Sequence, residues 1–86
     1  MGDNKTILIV DDCDTTRKIL ATMVKSSGFN AIVAINGLDA LEKMVHNDVA
    51  LVVTDLNMPQ MDGIELVKNI RADSKYQKVP IIMITT

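Results

Sequence analysis

A chain of 86 residues has room for one small domain, and with 48% hydrophobic residues it can bury a core and is not of disordered composition. Its formal charge is −2 and its nine Lys and Arg are scattered, which argues against a surface built to grip nucleic acid. A single cysteine, Cys13, forms no internal disulfide and suits a reducing cytoplasm; the apolar run at 7–10 is too short for a signal peptide or a membrane span. With Phe29 and Tyr76 the only aromatics, the core has to be aliphatic.

Residues 7–10 (Ile-Leu-Ile-Val) read as a strand apolar on both faces, the pattern of a parallel sheet. Asp14 then suits a helix N-cap, with Ile19, Leu20, Met23 and Val24 as an apolar stripe and Gly28 as the stop. Residues 31–35 give a second strand. A second helix opens at Asn36, with Asp39 three residues on in a weak capping box, and its expected buried side is Leu38, Leu41, Met44 and Val45. Residues 50–54 form a third strand ending at Asp55. A loop through Pro59 reaches Asp62, the cap of a third helix with Glu65 at N3 and Leu66, Val67 and Ile70 inward. Pro80 leads a fourth strand, Ile81 to Ile84. The order βαβαβαβ, without linker or repeat, predicts an α/β fold with a parallel sheet and right-handed crossovers.

In such sheets the functional site lies beyond the carboxyl ends of the strands, at the switch in strand order. Asp11 and Asp12 follow the first strand, Asp55 follows the third, and Thr85 stands at the end of the fourth. Crowded carboxylates repel one another unless a cation sits among them. Mg²⁺, a hard ion that takes one or two carboxylates along with water and phosphate oxygens, answers that need. Helix capping explains Asp14 and Asp62, but Asp11, Asp12 and Asp55 stand too early in the chain for it.

The segments Ile-Leu-Ile-Val-Asp-Asp (7–12), Val-Val-Thr-Asp-Leu-Asn-Met-Pro-Gln-Met-Asp-Gly (52–63) and Pro-Ile-Ile-Met-Ile-Thr-Thr (80–86) resemble response-regulator receiver domains. The middle segment is similar to the chemotaxis type. The resemblance implies a flavodoxin-like, doubly wound parallel sheet, here incomplete, with 1–86 as a single C-terminally truncated receiver domain. It implies a cytoplasmic two-component signalling protein that takes a phosphoryl group from a sensor histidine kinase or phosphotransfer protein. Asp55 would be the phosphoacceptor. Asp12 and Asp55 would hold Mg²⁺ directly, Asn57 through its backbone carbonyl and Asp11 through water. Thr85 would hydrogen-bond a phosphoryl oxygen and act as the switch.

The family fold has five strands and five helices, so the same resemblance implies that the last helix, strand and helix are absent. With them goes the lysine that closes the phosphate site, and phosphorylation of the fragment is expected to be impaired. A bare apolar fourth strand would favour a homo-oligomer joined through residues 80–86. The alternative function is then an inert, self-associating receiver fragment without phosphotransfer.

Two other classes fit less well. A haloacid-dehalogenase-type phosphohydrolase wants a second acid two residues after the nucleophile, where this chain has Asn57. A flavodoxin-like cofactor binder wants a Gly/Ser/Thr-rich phosphate loop after the first strand, where this chain has Asp-Asp-Cys-Asp. Pro59 and Gly63 read as structural, Met58 and Met61 as loop methionines folded onto the core, and His46 as a solvated surface residue. Cys13 is expected to resist ionisation beside the acidic pair, with no redox role.

Overall fold

In the computed structural model, which describes residues 4–84, Ile and Val runs form the strands and the segments of 3.6-residue period form the helices. The order is β1 (Thr6–Val10), α1 (Asp14–Ser26), β2 (Asn30–Ala34), α2 (Gly37–His46), β3 (Val49–Asp55), α3 (Gly63–Ala72), a 3₁₀ turn (Ser74–Tyr76) and β4 (Ile81–Ile84). All pairings are parallel and the strand order is β2-β1-β3-β4. The chain thus moves outward to β2 and returns past β1 to β3, which puts the switch in order between the ends of β1 and β3.

Strand side chains alternate between the two faces of the sheet. Leu8, Val10, Ala34 and Val52 join Ala40 and Met44 of α2 and Leu66 and Ile70 of α3 in one buried core. Ile7 and Ile9 face the other way, where α1 packs across β1 and β2. The Tyr76 hydroxyl donates to the Met44 carbonyl at 3.1 Å, tying the 3₁₀ turn to α2. Both loop methionines fold inward as expected: Met58 is buried and Met61 packs against the same core.

The helix ends follow local chemistry. Asn36 and Asp62 accept the amides of Asp39 and Glu65 at 2.8 and 2.9 Å, the N-cap bonds expected of them. Gly28 ends α1 in the left-handed region (φ 92°), and the Phe29 amide reaches back to the Val24 carbonyl at 3.3 Å. Asp14 departs from expectation. Cys13 takes the N-cap position with extended backbone, and Asp14 is the first helical residue, paired with Arg17.

The expected apolar stripes are only partly buried. Ile19 and Met23 are 54% and 59% exposed, and no residue of α1 is fully buried. Along α2, Leu38 and Val45 are exposed, while Gly37, Ala40 and Met44 form the inner seam. The helix turns its Gly37–Ala40–Met44 side inward and Leu38 and Val45 outward, and at Gly37 the Met61 side chain fills the space that a Cβ would take. In α3, Leu66 and Ile70 are fully buried and Val67 is half-buried.

Candidate acidic site at the carboxyl ends of β1 and β3

Asp11 extends the β1–β2 ladder by one bond, from its amide to the Ala34 carbonyl at 3.1 Å, before the chain turns into α1. Its carboxylate Oδ1 accepts the Cys13 amide at 2.8 Å and is buried. Asp12, next in the chain, is exposed. Asp55 is the last residue of β3, buried beside β4 in register with Ile84, and its Oδ1 accepts the Asn57 amide at 3.3 Å. One carboxylate oxygen each of Asp11, Asp12 and Asp55 can be chosen so that all three lie within 4.8 Å of one another.

The loop after Asp55 is closed tightly beneath it. The Leu56 amide donates to the Ile84 carbonyl at 3.0 Å and the Gly63 amide donates to the Leu56 carbonyl at 2.8 Å. A Cβ on Gly63 would lie 2.5 Å from the Asp55 carbonyl oxygen, so only glycine fits there. Gln60 takes the strain of the turn with φ 68°. Thr54, fully buried behind the site, donates its hydroxyl to the Asp55 carbonyl at 3.0 Å.

Two unit charges of like sign about 4 Å apart repel by roughly 4 kcal/mol at an effective dielectric near 20. Among the described residues the ion pairs are Arg17–Asp14 and Lys43–Asp39, so no basic side chain neutralises the three clustered carboxylates. The donor set is all oxygen and anionic, with two members oriented by backbone amides; it fits a hard divalent cation and not a soft one.

Asn57 is exposed, and the contact it makes to the site is its amide on Asp55. Thr85, expected to complete the site, lies outside the described residues. His46 is exposed as expected, and it lines a cleft of about 390 Å³ with Met44, Lys75, Tyr76 and Val79 at the opposite, amino end of β3. Cys13 corrects the sequence expectation. Its exposed thiol is held below the ordinary value, chiefly by a hydrogen bond from the Thr16 side chain and then by the Thr16 and Thr15 amides, which outweigh the Asp11 charge. Sequence reasoning passed over Arg17 and Thr54. The spacing of Asp14 and Arg17, one helical turn apart, was the available signal for the first.

Comparison with known proteins agrees with this geometry. A family model described as response regulator receiver domain matches residues 7–86, and the chain belongs to that family of signalling domains. It is 46% identical over 86 residues to chemotaxis protein CheY-3 of Vibrio cholerae, covering 99% of this chain. It is 43% identical over 82 residues to chemotaxis protein CheY1 of Helicobacter pylori, covering 93% of this chain. The chain spans 66% of the length of each of these relatives. The response regulator TrrA of Thermotoga maritima, solved in complex with Mg²⁺-BeF, superposes with a TM-score of 0.87 at 34% identity, covering 94% of this chain and 69% of that one. The sheet is therefore of the flavodoxin-like, doubly wound parallel kind, with four strands and three α-helices among the described residues.

Proposed function

We propose that the chain is the phosphoacceptor receiver of a cytoplasmic two-component response regulator, and that Asp55 takes a phosphoryl group from the histidine of a sensor kinase or phosphotransfer protein. The observation that carries this reading is the convergence of Asp11, Asp12 and Asp55, with an oxygen of each within 4.8 Å of the others at the switch in strand order. Asp55 attacks phosphorus through the carboxylate oxygen that the Asn57 amide leaves free. The P–N bond to the donor imidazole breaks as the P–O bond to Asp55 forms, and the imidazole regains a proton from solvent. Asp11, Asp12 and Asp55, with the Asn57 carbonyl, would hold Mg²⁺. That ion supplies positive charge against the phosphoryl oxygens as the anionic donor approaches an anionic carboxylate. Asp11 is preset for its part by the Cys13 amide. Thr85 is assigned the hydrogen bond to a phosphoryl oxygen. In this reading the domain turns over no substrate beyond its own aspartyl phosphate. Cytoplasmic placement accords with a described chain in which no helix is long and apolar enough to cross a membrane.

A second reading is favoured by one observation. β4 is the outer strand of the described sheet and Ile82 on it is 52% exposed, so residues 81–84 offer an apolar edge through which two copies could pair. In that reading the 86-residue polypeptide self-associates without phosphotransfer.

Intact-mass spectrometry after incubation with acetyl phosphate and Mg²⁺ separates the two. A single phosphoryl adduct on the wild type, absent in Asp55→Asn and in EDTA, is the expected result. No adduct on a protein that still binds Mg²⁺ would overturn the first reading for this polypeptide and leave the second.

A further inference from the structure

Among the described residues, Arg17 is the basic residue bonded to the loop that carries the acidic pair. It sits one turn into α1, and its side chain is 13% exposed. One guanidinium nitrogen donates to the Asp11 carbonyl oxygen at 2.8 Å, and the other pairs with Asp14. Asp11 is thereby held at each of its polar points: its amide by Ala34, its carboxylate by Cys13 and its carbonyl by Arg17. Asp12 makes no hydrogen bond among the described residues. Its position depends on the planar peptide that joins it to Asp11, and that is the peptide whose oxygen Arg17 grips.

We propose that Arg17 is a positioning residue of the acidic site: by fixing the plane of the Asp11–Asp12 peptide, it holds the Asp12 carboxylate where it can share a divalent cation with Asp11 and Asp55. The inference rests on the reading of that cluster as a cation site. Arg17 touches neither the cation nor the phosphoryl group. Its charge opposes cation binding, whereas its fork favours it. Lysine is a poor substitute, because its point charge lacks the planar, two-pronged geometry that bonds the Asp11 carbonyl and Asp14 together. These two influences have opposite signs, and that makes the role testable.

The experiment measures Mn²⁺ affinity by electron paramagnetic resonance on the full 86-residue chain as wild type, Arg17→Lys, Arg17→Gln and Asp12→Asn. Each value is corrected for the folded fraction found in urea titrations. Loss of an outer partner that orients a metal ligand commonly weakens affinity by about 10- to 100-fold. The expected result is weaker binding by about 10-fold or more in Arg17→Gln, with a smaller loss in Arg17→Lys, which keeps the charge and can reach one of the two acceptors. If charge alone mattered, Arg17→Lys would match wild type and Arg17→Gln would bind more tightly; either pattern overturns the proposal. Should Arg17→Gln fail to fold, Arg17→Lys decides. If the wild type binds no Mn²⁺, or Asp12→Asn binds as well as wild type, the cation-site reading itself falls and the role of Arg17 falls with it. That outcome is distinct from an Arg17 series that is flat on a working site.

Discussion

At Gly63 the backbone of α3 passes so close to the end of β3 that a single methyl group decides whether Asp55 keeps its place. The atoms a Cβ would meet are the Asp55 carbonyl oxygen at 2.5 Å and the Leu56 Cα at 3.0 Å, both backbone and neither able to swing aside. Gly63→Ala is therefore expected to lower stability by about 1–3 kcal/mol, the usual cost of overpacking. It should also reduce the phosphoryl adduct on Asp55. Urea midpoints and intact mass on the same preparation check both; a variant equal to wild type in each would mean that the loop relaxes freely. The sequence marked Gly63 as structural, and the structure adds which backbone atoms it lies against. Cys13 shows the reverse case. Its neighbours in sequence are carboxylates, but its neighbours in space include the Thr16 hydroxyl and the first amides of α1, so the thiol moves the other way.

α2 is held at its start by an exchange of bonds that spans the end of β2. Asn36 accepts the Asp39 amide, Asp39 accepts the Ile35 amide at 3.1 Å, and Lys43 donates to Asp39 at 3.0 Å. Because Asp39 captures the Ile35 amide, β2 ends at Ala34 and Ile35 is left exposed. Partial burial pushes the Asp39 carboxyl up, but the Lys43 bond, the Ile35 amide and the charges of Lys43 and Arg17 together hold it below its ordinary value. A depressed folded-state value means that ionised Asp39 stabilises the fold above the unfolded carboxylate range, near pH 4, and that this is lost as pH falls through the lower folded value. Asp39→Asn should thus be less stable than wild type at pH 7, with the gap narrowing below about pH 4. The half-buried Lys43 pair, one helical turn apart, accounts for only about 0.3–0.5 kcal/mol of it. Urea titrations at pH 7 and pH 3 test this; a gap of the same size at both would assign the effect to shape rather than charge.

For the molecule as a whole, the strand order leaves its two faces unequal. Among the described elements, α2 and α3 cover one face, while α1 packs mainly across β1 and β2 on the other. Val53 and Ile82 lie in register on that second face, half-buried and 52% exposed respectively. If the 86-residue polypeptide pairs through this edge, light scattering coupled to size exclusion should give a dimer mass at high concentration, and Ile82→Lys should shift it toward monomer. A monomer across the whole concentration range would refute that reading. The contrast with α1 is instructive. Ile19 and Met23 looked like core residues by spacing, but among the described elements α1 packs mainly on two strands, which leaves it a narrow seam to bury.

Element type and order were legible in the chain because they depend on local periods and caps: the Ile-Val runs, Asn36 and Asp62 at helix starts, Gly28 at a helix end. Asp11, Asp12 and Asp55 were legible for a related reason. They stand at or just beyond the carboxyl ends of strands, and a parallel sheet brings such positions to one edge whatever the remaining details. Which residue holds those carboxylates in place was not legible. The bond from Arg17 to the Asp11 carbonyl and the closeness of Gly63 to Asp55 involve backbone atoms, which carry no signature of residue type. Burial within the amphipathic helices was likewise set by tertiary packing. The 3.6-residue period says which residues share a side of a helix, and only the sheet beneath decides how much of that side it covers.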